Sequence, residues 1–413
     1  MSDSSYFDQL ETRDPAERER DQYQRLPGQI EYAKANAPAY AEILKGVDPG
    51  AVNSAAELAR LPVIRKSELL EKQRADRPFG GFAARGVPEL ARVFASPGPI
   101  YEPEPAGENY WRMARAMFAA GIRRGMLVHN TFAYHFTPAG AMVETSAHAM
   151  GCAVFPAGTG QTELQVQAIA DLKPAAYAGT PSFLKIILEK AAETGADCSS
   201  LALGLVSGEA LPPSLRSALG DFGVDVLQCY ASADLGLIAY ESGAREGLIV
   251  DEDLIVEIVK PGTGEPAAEG EVGEVVVTNF NRTYPLVRFG TGDLSAVLAG
   301  TSPCGRTNMR IKGWMGRADQ TTKVKGMFVH PSQVNEVVKR YPDVVRARLV
   351  VDSRDGQDVM TLRCETGSDG VDLCDAIVQT LREVCKLRGE VELVKPGALP
   401  NDGKVIDDVR TYE

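Results

Sequence analysis

Residues 173–212 read KPAAYAGTPSFLKIILEKAAETGADCSSLALGLVSGEALP, and this stretch decides the fold class. Ala175–Tyr177 is a short apolar run of strand length, Ser182–Thr194 reads as a helix, and Leu203–Val206 is a second apolar run. Strand, helix and strand in that order are the repeating unit of a parallel α/β sheet, whose ligands sit at the strand ends. The loop Ser207-Gly208-Glu209-Ala210-Leu211-Pro212 follows directly on the second strand.

The same alternation extends to about residues 90–310. Met126–Val128 and Ala153–Phe155 are further β-like runs, separated by helical stretches at Glu108–Ala120 and Glu163–Leu172. Between 248 and 299 the character changes. Leu254–Val259, Gly273–Thr278 and Leu286–Arg288 are closely spaced strand candidates, with Pro261-Gly262-Thr263-Gly264 as a turn. They predict a smaller antiparallel sheet or barrel packed on the α/β part. At the N-terminal end, residues 14–46 predict a helix capped by Asp14 with Pro15 in its first turn, interrupted at Pro27-Gly28. Residues 54–72 predict a second helical region around Leu61-Pro62.

Gly313-Trp314-Met315-Gly316 reads as a hinge. Beyond it come a strand-like stretch at Thr321–Val329, a helix at Pro331–Arg340, strands at Val345–Val351 and Asp358–Cys364, and a helix at Gly370–Cys385. The expected fold is therefore α/β. A large N-terminal region, 1–315, carries the parallel sheet and the smaller antiparallel one; a small mobile α+β domain spans 316–413.

Bulk chemistry narrows the function. Fifty-six acids against 44 bases give a net charge of −12, which disfavours nucleic acid and anionic membranes as partners. Seven cysteines without a CxxC pair argue for reduced thiols rather than a disulfide framework. The charged start of the chain lacks the basic-then-apolar pattern of a signal peptide, and no apolar run approaches bilayer length, so a cytoplasmic protein is expected. The four histidines, His129, His135, His148 and His330, have no metal-ligand spacing, and no Ser–His–Asp arrangement is visible.

Several short motifs occur in order along nearly the whole chain. They are Leu61-Pro62-Val63-Ile64-Arg65-Lys66 with Pro78-Phe79-Gly80-Gly81-Phe82; Gly160-Gln161-Thr162-Glu163; Lys173-Pro174; Thr180-Pro181-Ser182; the Ser207–Pro212 loop; Thr291-Gly292-Asp293-Leu294; Gly316-Arg317-Ala318-Asp319; and Lys325-Gly326 with Pro331-Ser332-Gln333. Together they resemble the phenylacetate–CoA ligase family of adenylate-forming enzymes. The resemblance implies a carboxylate–CoA ligase. ATP and Mg²⁺ would convert a small carboxylate, aromatic by the family's habit, to an acyl-adenylate, and CoA would take the acyl group; a homodimer is compatible with it.

The resemblance also implies roles. Asp293 would accept the ribose hydroxyls, and Arg317 would bind ribose or phosphate. Gly208, Glu209 and Tyr230 would surround the adenine, and Asp319 would be the hinge. Lys404, in Asn401-Asp402-Gly403-Lys404, would neutralise charge building up between carboxylate and α-phosphate. Tyr134, His135 and Phe136 would line the acyl pocket. Each residue type also has a plainer role: a turn Asp, a surface ion pair, a solvated Lys, a core aromatic.

Three places depart from the family pattern. Its Ser-, Thr- and Gly-rich phosphate loop is here Ala95-Ser96-Pro97-Gly98-Pro99-Ile100-Tyr101-Glu102-Pro103. Ser96 and Gly98 remain to meet phosphate, two prolines lack an N–H, and Glu102 is expected to repel it. Asp234 stands where the family carries a Glu that helps hold Mg²⁺. Ser242, Ile249, Ser302 and Cys304 stand where some relatives hold a structural zinc, and one thiol does not make a tetrahedral site, so no structural zinc is expected. These departures leave open a degenerate relative that binds a nucleotide or acyl compound without adenylating it, or one that performs only the thiol step on a preformed adenylate.

Overall fold

The computed structural model describes residues 5–97, 99–260, 263–315, 318, 320, 322–329, 331–354, 357–367, 370–400 and 404–410. The chain divides into two compact units, Met1–Trp314 and Met315–Glu413.

The first unit is built on a nine-stranded mixed sheet. Its parallel half runs, in spatial order, through Ala153–Pro156, Leu127–Asn130, Ala176–Gly179, Leu203–Val206 and Asp225–Ser232. Gly236–Tyr240, Leu248–Val250, Arg310–Ile311 and Val297–Leu298 extend it in antiparallel fashion. Helices Ala139–Ala149, Thr162–Leu172, Pro181–Thr194 and Pro213–Asp221 make the crossovers. The crossovers need helices because parallel neighbours cannot be joined by a tight turn. A second sheet of four strands, Ile64–Arg65, Phe289–Ser295, Gly273–Asn279 and Leu254–Val259, packs with the N-terminal helix around Leu26, Ile30, Val275, Val277 and Phe289. A two-stranded hairpin, Leu90–Ser96 with Ile100–Pro105, carries the altered phosphate loop.

Three local expectations are corrected. Pro27 does not break the first helix, which runs unbroken over Pro15–Asn36 and ends before Pro38. A proline inside a helix removes one hydrogen bond, and burial of Leu26, Ile30 and Ala33 on either side holds the helix through the defect. The region 54–72 is two helices, Ala55–Leu58 and Lys66–Ala75, parted by strand Ile64–Arg65. The strand expected at Leu286–Arg288 begins instead at Phe289. Arg288 has φ +47, and its buried guanidinium is drawn to Glu257 and to the carbonyls of Ala59, Leu61 and Gly264.

The second unit has its own core. Four strands, in the order Glu390–Val394, Gln357–Thr366, Val344–Arg354 and Ile406–Asp408, are backed by helices Pro331–Lys339 and Val371–Cys385 around Leu349, Val351, Leu362, Ile377 and Leu381. Thr322–Val324 and Met327–Val329 form a small hairpin beside them. Among the described residues no helix is long and apolar enough to cross a membrane.

Candidate active site

The carboxyl ends of the parallel strands converge on one edge of the nine-stranded sheet, where open α/β sheets bind ligands. Strand Leu127–Asn130 leads into Tyr134, strand Leu203–Val206 into Gly208 and Glu209, and strand Asp225–Ser232 carries Tyr230 and leads to Asp234. Gly208 has φ +85, a conformation that disfavours side chains, so the glycine serves the sharp exit of the chain from the strand.

At the centre of this edge, the Tyr230 hydroxyl donates to Asp293 Oδ2 at 2.8 Å and lies 3.2 Å from Thr291 Oγ1. The Trp314 indole N–H donates to Asp293 Oδ1 at 3.1 Å. Asp293 is thus oriented from two sides. A carboxylate oxygen can accept more than one hydrogen bond.

The loop after strand Asp225–Ser232 contributes to a charged cluster. Lys66 Nζ and Asp234 Oδ2 are 2.7 Å apart, and the Asp234 side chain is 1% exposed. Asp234 Oδ1 has no hydrogen-bond partner among the described residues. The phosphate-loop hairpin completes the cluster with Glu102, which is wholly buried. Glu102 Oε2 accepts the Ser96 N–H at 3.2 Å, and Oε1 pairs with the Ser96 hydroxyl. Burial first, then the neighbouring charge of Asp234, push its carboxyl up to about 8; Lys66 and Ser96 oppose the shift. The expectation that Glu102 would face a phosphate is therefore corrected: it turns inward. Side chains alternate along a strand, so Glu102 shares the inner face with Ile100 and Glu104, and it pairs across the hairpin with Phe94.

These features match known proteins. The AMP-binding enzyme family matches residues 110–281, and the AMP-binding enzyme C-terminal domain matches residues 326–409. The phenylacetate-coenzyme A ligase of Thermus thermophilus is 33% identical over 354 residues, covering 81% of this chain and 78% of that one. The phenylacetate-coenzyme A ligase of Escherichia coli is 28% identical over 98% of this chain and 97% of its own length. The chain belongs to the phenylacetate–CoA ligase family. A solved 2-hydroxyisobutyryl-CoA ligase, in complex with 2-HIB-AMP and CoA, superposes with a TM-score of 0.82 at 26% identity, over 100% of this chain and 94% of that one.

Against that family's pattern, the expected site residues fall into groups. Tyr230 and Asp293 are hydrogen-bonded to each other, and Asp234 and Ser96 belong to the charged cluster around Glu102. Glu209 is exposed, and its carboxylate accepts the Ser182 N–H at 2.7 Å, capping helix Pro181–Thr194. Tyr134 is half-buried, with its hydroxyl accepting from Asn130 at 2.8 Å; His135 and Phe136 are exposed, Phe136 at 79% and with φ +65. In the second unit Lys404 pairs with Asp407 at 2.9 Å. Gly98, Arg317 and Asp319 lie outside the described residues. Ser302 Oγ stands 3.1 Å from Cys304 Sγ. Burial raises that thiol, but hydrogen bonds from Ser242, Ser302 and Arg306 outweigh it and hold the pKa below the ordinary value. Among the described residues no group of three or more His, Cys, Asp or Glu could hold a metal.

The sequence reading assigned no role to Trp314, Thr291 or Lys66. Lys66 lay inside a quoted motif, and Trp314 inside the expected hinge, but only the fold brings them to Asp234 and Asp293. A cleft of about 730 Å³ opens elsewhere, around the amino end of strand Asp225–Ser232. Its arginines are already engaged, Arg216 with Glu241 and Arg245 with Asp225.

Proposed function

We propose that the chain forms an acyl-CoA thioester from an acyl-adenylate of a small carboxylate, aromatic acids being the first class to test. The single observation that carries this is the pair of donors, Tyr230 and Trp314, that orient Asp293 at the ligand edge of the sheet. A fixed carboxylate there suits the vicinal hydroxyls of a ribose. Gly208 leaves room for the adenine, and Tyr134 stands on the loop beyond strand Leu127–Asn130 toward the acyl group. The names of the curated relatives support an aryl acid, and the 2-hydroxyisobutyryl-CoA ligase supports a small branched one.

In the thiol step the CoA sulfur attacks the acyl carbonyl carbon. The bond from that carbon to the AMP phosphate oxygen breaks, AMP leaves with the electron pair, and the thiol proton passes to solvent. Asp293 holds the leaving AMP by its ribose. Lys404 and Arg317 are proposed for charge neutralisation at the α-phosphate, and the second unit, hinged near Asp319, for carrying Lys404 to and from it.

The residues around Asp234 do not fit a triphosphate with Mg²⁺. The carboxylate is paired with an ammonium, and the Ser96 donors are taken by Glu102. The same observation favours a second reading, a relative that binds the nucleotide or acyl compound without adenylating it. Incubation with phenylacetyl-AMP or 2-hydroxyisobutyryl-AMP plus CoA, followed by mass spectrometry, separates the two. Thioester and AMP in equal amounts support the proposal; binding without any thioester across a panel of acyl-adenylates refutes it.

A further inference from the structure

We propose that Glu102 is a built-in occupant of the phosphate pocket, and that it sets the ligand of this site to adenosine monophosphate and its acyl anhydrides, the acyl-adenylates, rather than ATP. The inference rests on the reading of Tyr230 and Asp293 as the ribose side. A phosphate loop works by offering backbone N–H groups and hydroxyls to phosphate oxygens. Here the Ser96 N–H and hydroxyl, both buried, already face the two oxygens of Glu102. Pro97 and Pro99, on either side of the turn, have no N–H to add. The nearest cation, Lys66, is paired with Asp234. Phosphates beyond the first would therefore meet the Glu102 carboxyl group in their place and the Asp234 carboxylate beside it.

The hairpin is also held where it is. Both backbone groups of Tyr101 are bonded to the side chain of Gln73, the N–H to Oε1 at 2.8 Å and the carbonyl to Nε2 at 2.9 Å. Gln73 is itself wholly buried. Gly80, at φ +61, packs so tightly there that a Cβ would come to 2.8 Å from the Gln73 backbone nitrogen. On the other strand, the Ala95 N–H donates to the Phe136 carbonyl at 2.8 Å. To release the Ser96 donors for a phosphate, Glu102 has to leave a site enclosed by these anchors.

AMP and acyl-adenylates carry no phosphate beyond the α-phosphate and leave this cluster undisturbed. ATP has to place two further phosphates at or beside it. The acyl-adenylate is then the product of a separate carboxylate-adenylating activity, in which carboxylate and ATP give acyl-AMP and pyrophosphate. This chain completes the sequence by exchanging AMP for CoA.

The test is calorimetric titration of AMP, ATP with Mg²⁺, and a non-hydrolysable acyl-sulfamoyl-adenosine. The proteins are the wild type, Glu102→Ala and Glu102→Gln. The wild type is expected to bind AMP roughly 100-fold more tightly than ATP, the scale of two missing charge-assisted hydrogen bonds. Glu102→Ala is expected to bring ATP within about tenfold of AMP, with AMP affinity itself changed less than about threefold. Glu102→Gln keeps the shape and the Ser96 contacts, so it is expected to retain the preference for AMP, and it serves where the alanine variant does not fold. Equal affinity of the wild type for ATP and AMP overturns the proposal and leaves the ribose site standing. So does an unchanged ratio in a folded Glu102→Ala. Absence of any AMP binding overturns the ribose reading and this proposal with it.

Discussion

Tyr230→Phe removes one hydroxyl and leaves the ring, so it isolates what orients Asp293. That hydroxyl is 2.8 Å from Asp293 Oδ2 and 3.2 Å from Thr291 Oγ1. A hydrogen bond to a charged group contributes about 1.5–3 kcal/mol. The other side of the carboxylate stays held by Trp314 at 3.1 Å, and that ring is 40% exposed, so water compensates in part. The expected loss in AMP or acyl-adenylate affinity is therefore about 1–2 kcal/mol, or roughly five- to thirtyfold. Trp314→Phe is expected to cost less, because its bond is longer and wetter. The two losses are expected to be non-additive, since both act on one carboxylate. Calorimetric titration of AMP against the wild type, both single variants and the double variant measures all four corners of the cycle. An affinity for Tyr230→Phe within twofold of wild type, with Asp293→Ala equally mild, would refute Asp293 as the ribose anchor.

Other outcomes follow from buried charges. Glu102 has a folded-state pKa raised from the ordinary 4.5 to about 8, so the folded protein binds the extra proton in between. Its contribution to stability is full below about 4.5 and is lost as pH rises toward and through 8, a change of a few kcal/mol. Glu102→Gln should flatten that part of the stability–pH curve; chemical denaturation at pH 5, 7 and 9 checks it, and parallel curves count against it. Arg288→Met removes a guanidinium that bridges Glu257 and the carbonyls of Ala59, Leu61 and Gly264, and should cost roughly 3–5 kcal/mol by leaving Glu257 uncompensated. Unfolding free energies from urea titration within 1 kcal/mol of wild type would show that water replaces the network. Glu11→Ala removes a buried carboxylate that accepts from Tyr240 at 2.7 Å and pairs with Arg306 at 3.2 Å, and should destabilise by a similar roughly 3–5 kcal/mol in the same assay.

Part of the candidate site was legible from residue order. Tyr230, Asp293 and Asp234 were named from the resemblance of their motifs to the family's; the strand pattern placed only the end of strand Asp225–Ser232, which carries Tyr230, at the ligand edge of the parallel sheet. Trp314 carried no such signal. A tryptophan between glycines reads equally as a hinge residue, and its bond to Asp293 spans 21 positions of chain. Lys66 reaches Asp234 across 168 positions, a pairing that no local pattern encodes. Glu102 was read by its charge, as a group that repels phosphate from the loop; the pleat put it inside, where it fills the loop's donors.

The strands Leu203–Val206 and Leu254–Val259 emerge residue for residue as the apolar runs suggested. The helices Pro181–Thr194 and Val371–Cys385 differ from their expected spans by one residue at the start. These are local decisions, made by which side chains must be buried and by Gly and Pro at the ends. Pro27 stayed helical, and the strand began at Phe289 rather than Leu286, because in both places tertiary partners outweighed the local preference. For Pro27 the partner was the core around Leu26 and Ile30; for Arg288 it was Glu257 with three carbonyls. The amino-acid order alone determined the α/β class and the family's motifs. The inward turn of Glu102, the clamp on Asp293 and the occupation of Ser96 were decided only when hairpin, helix and both sheets came together, because a buried carboxylate takes whichever donors the fold leaves within reach.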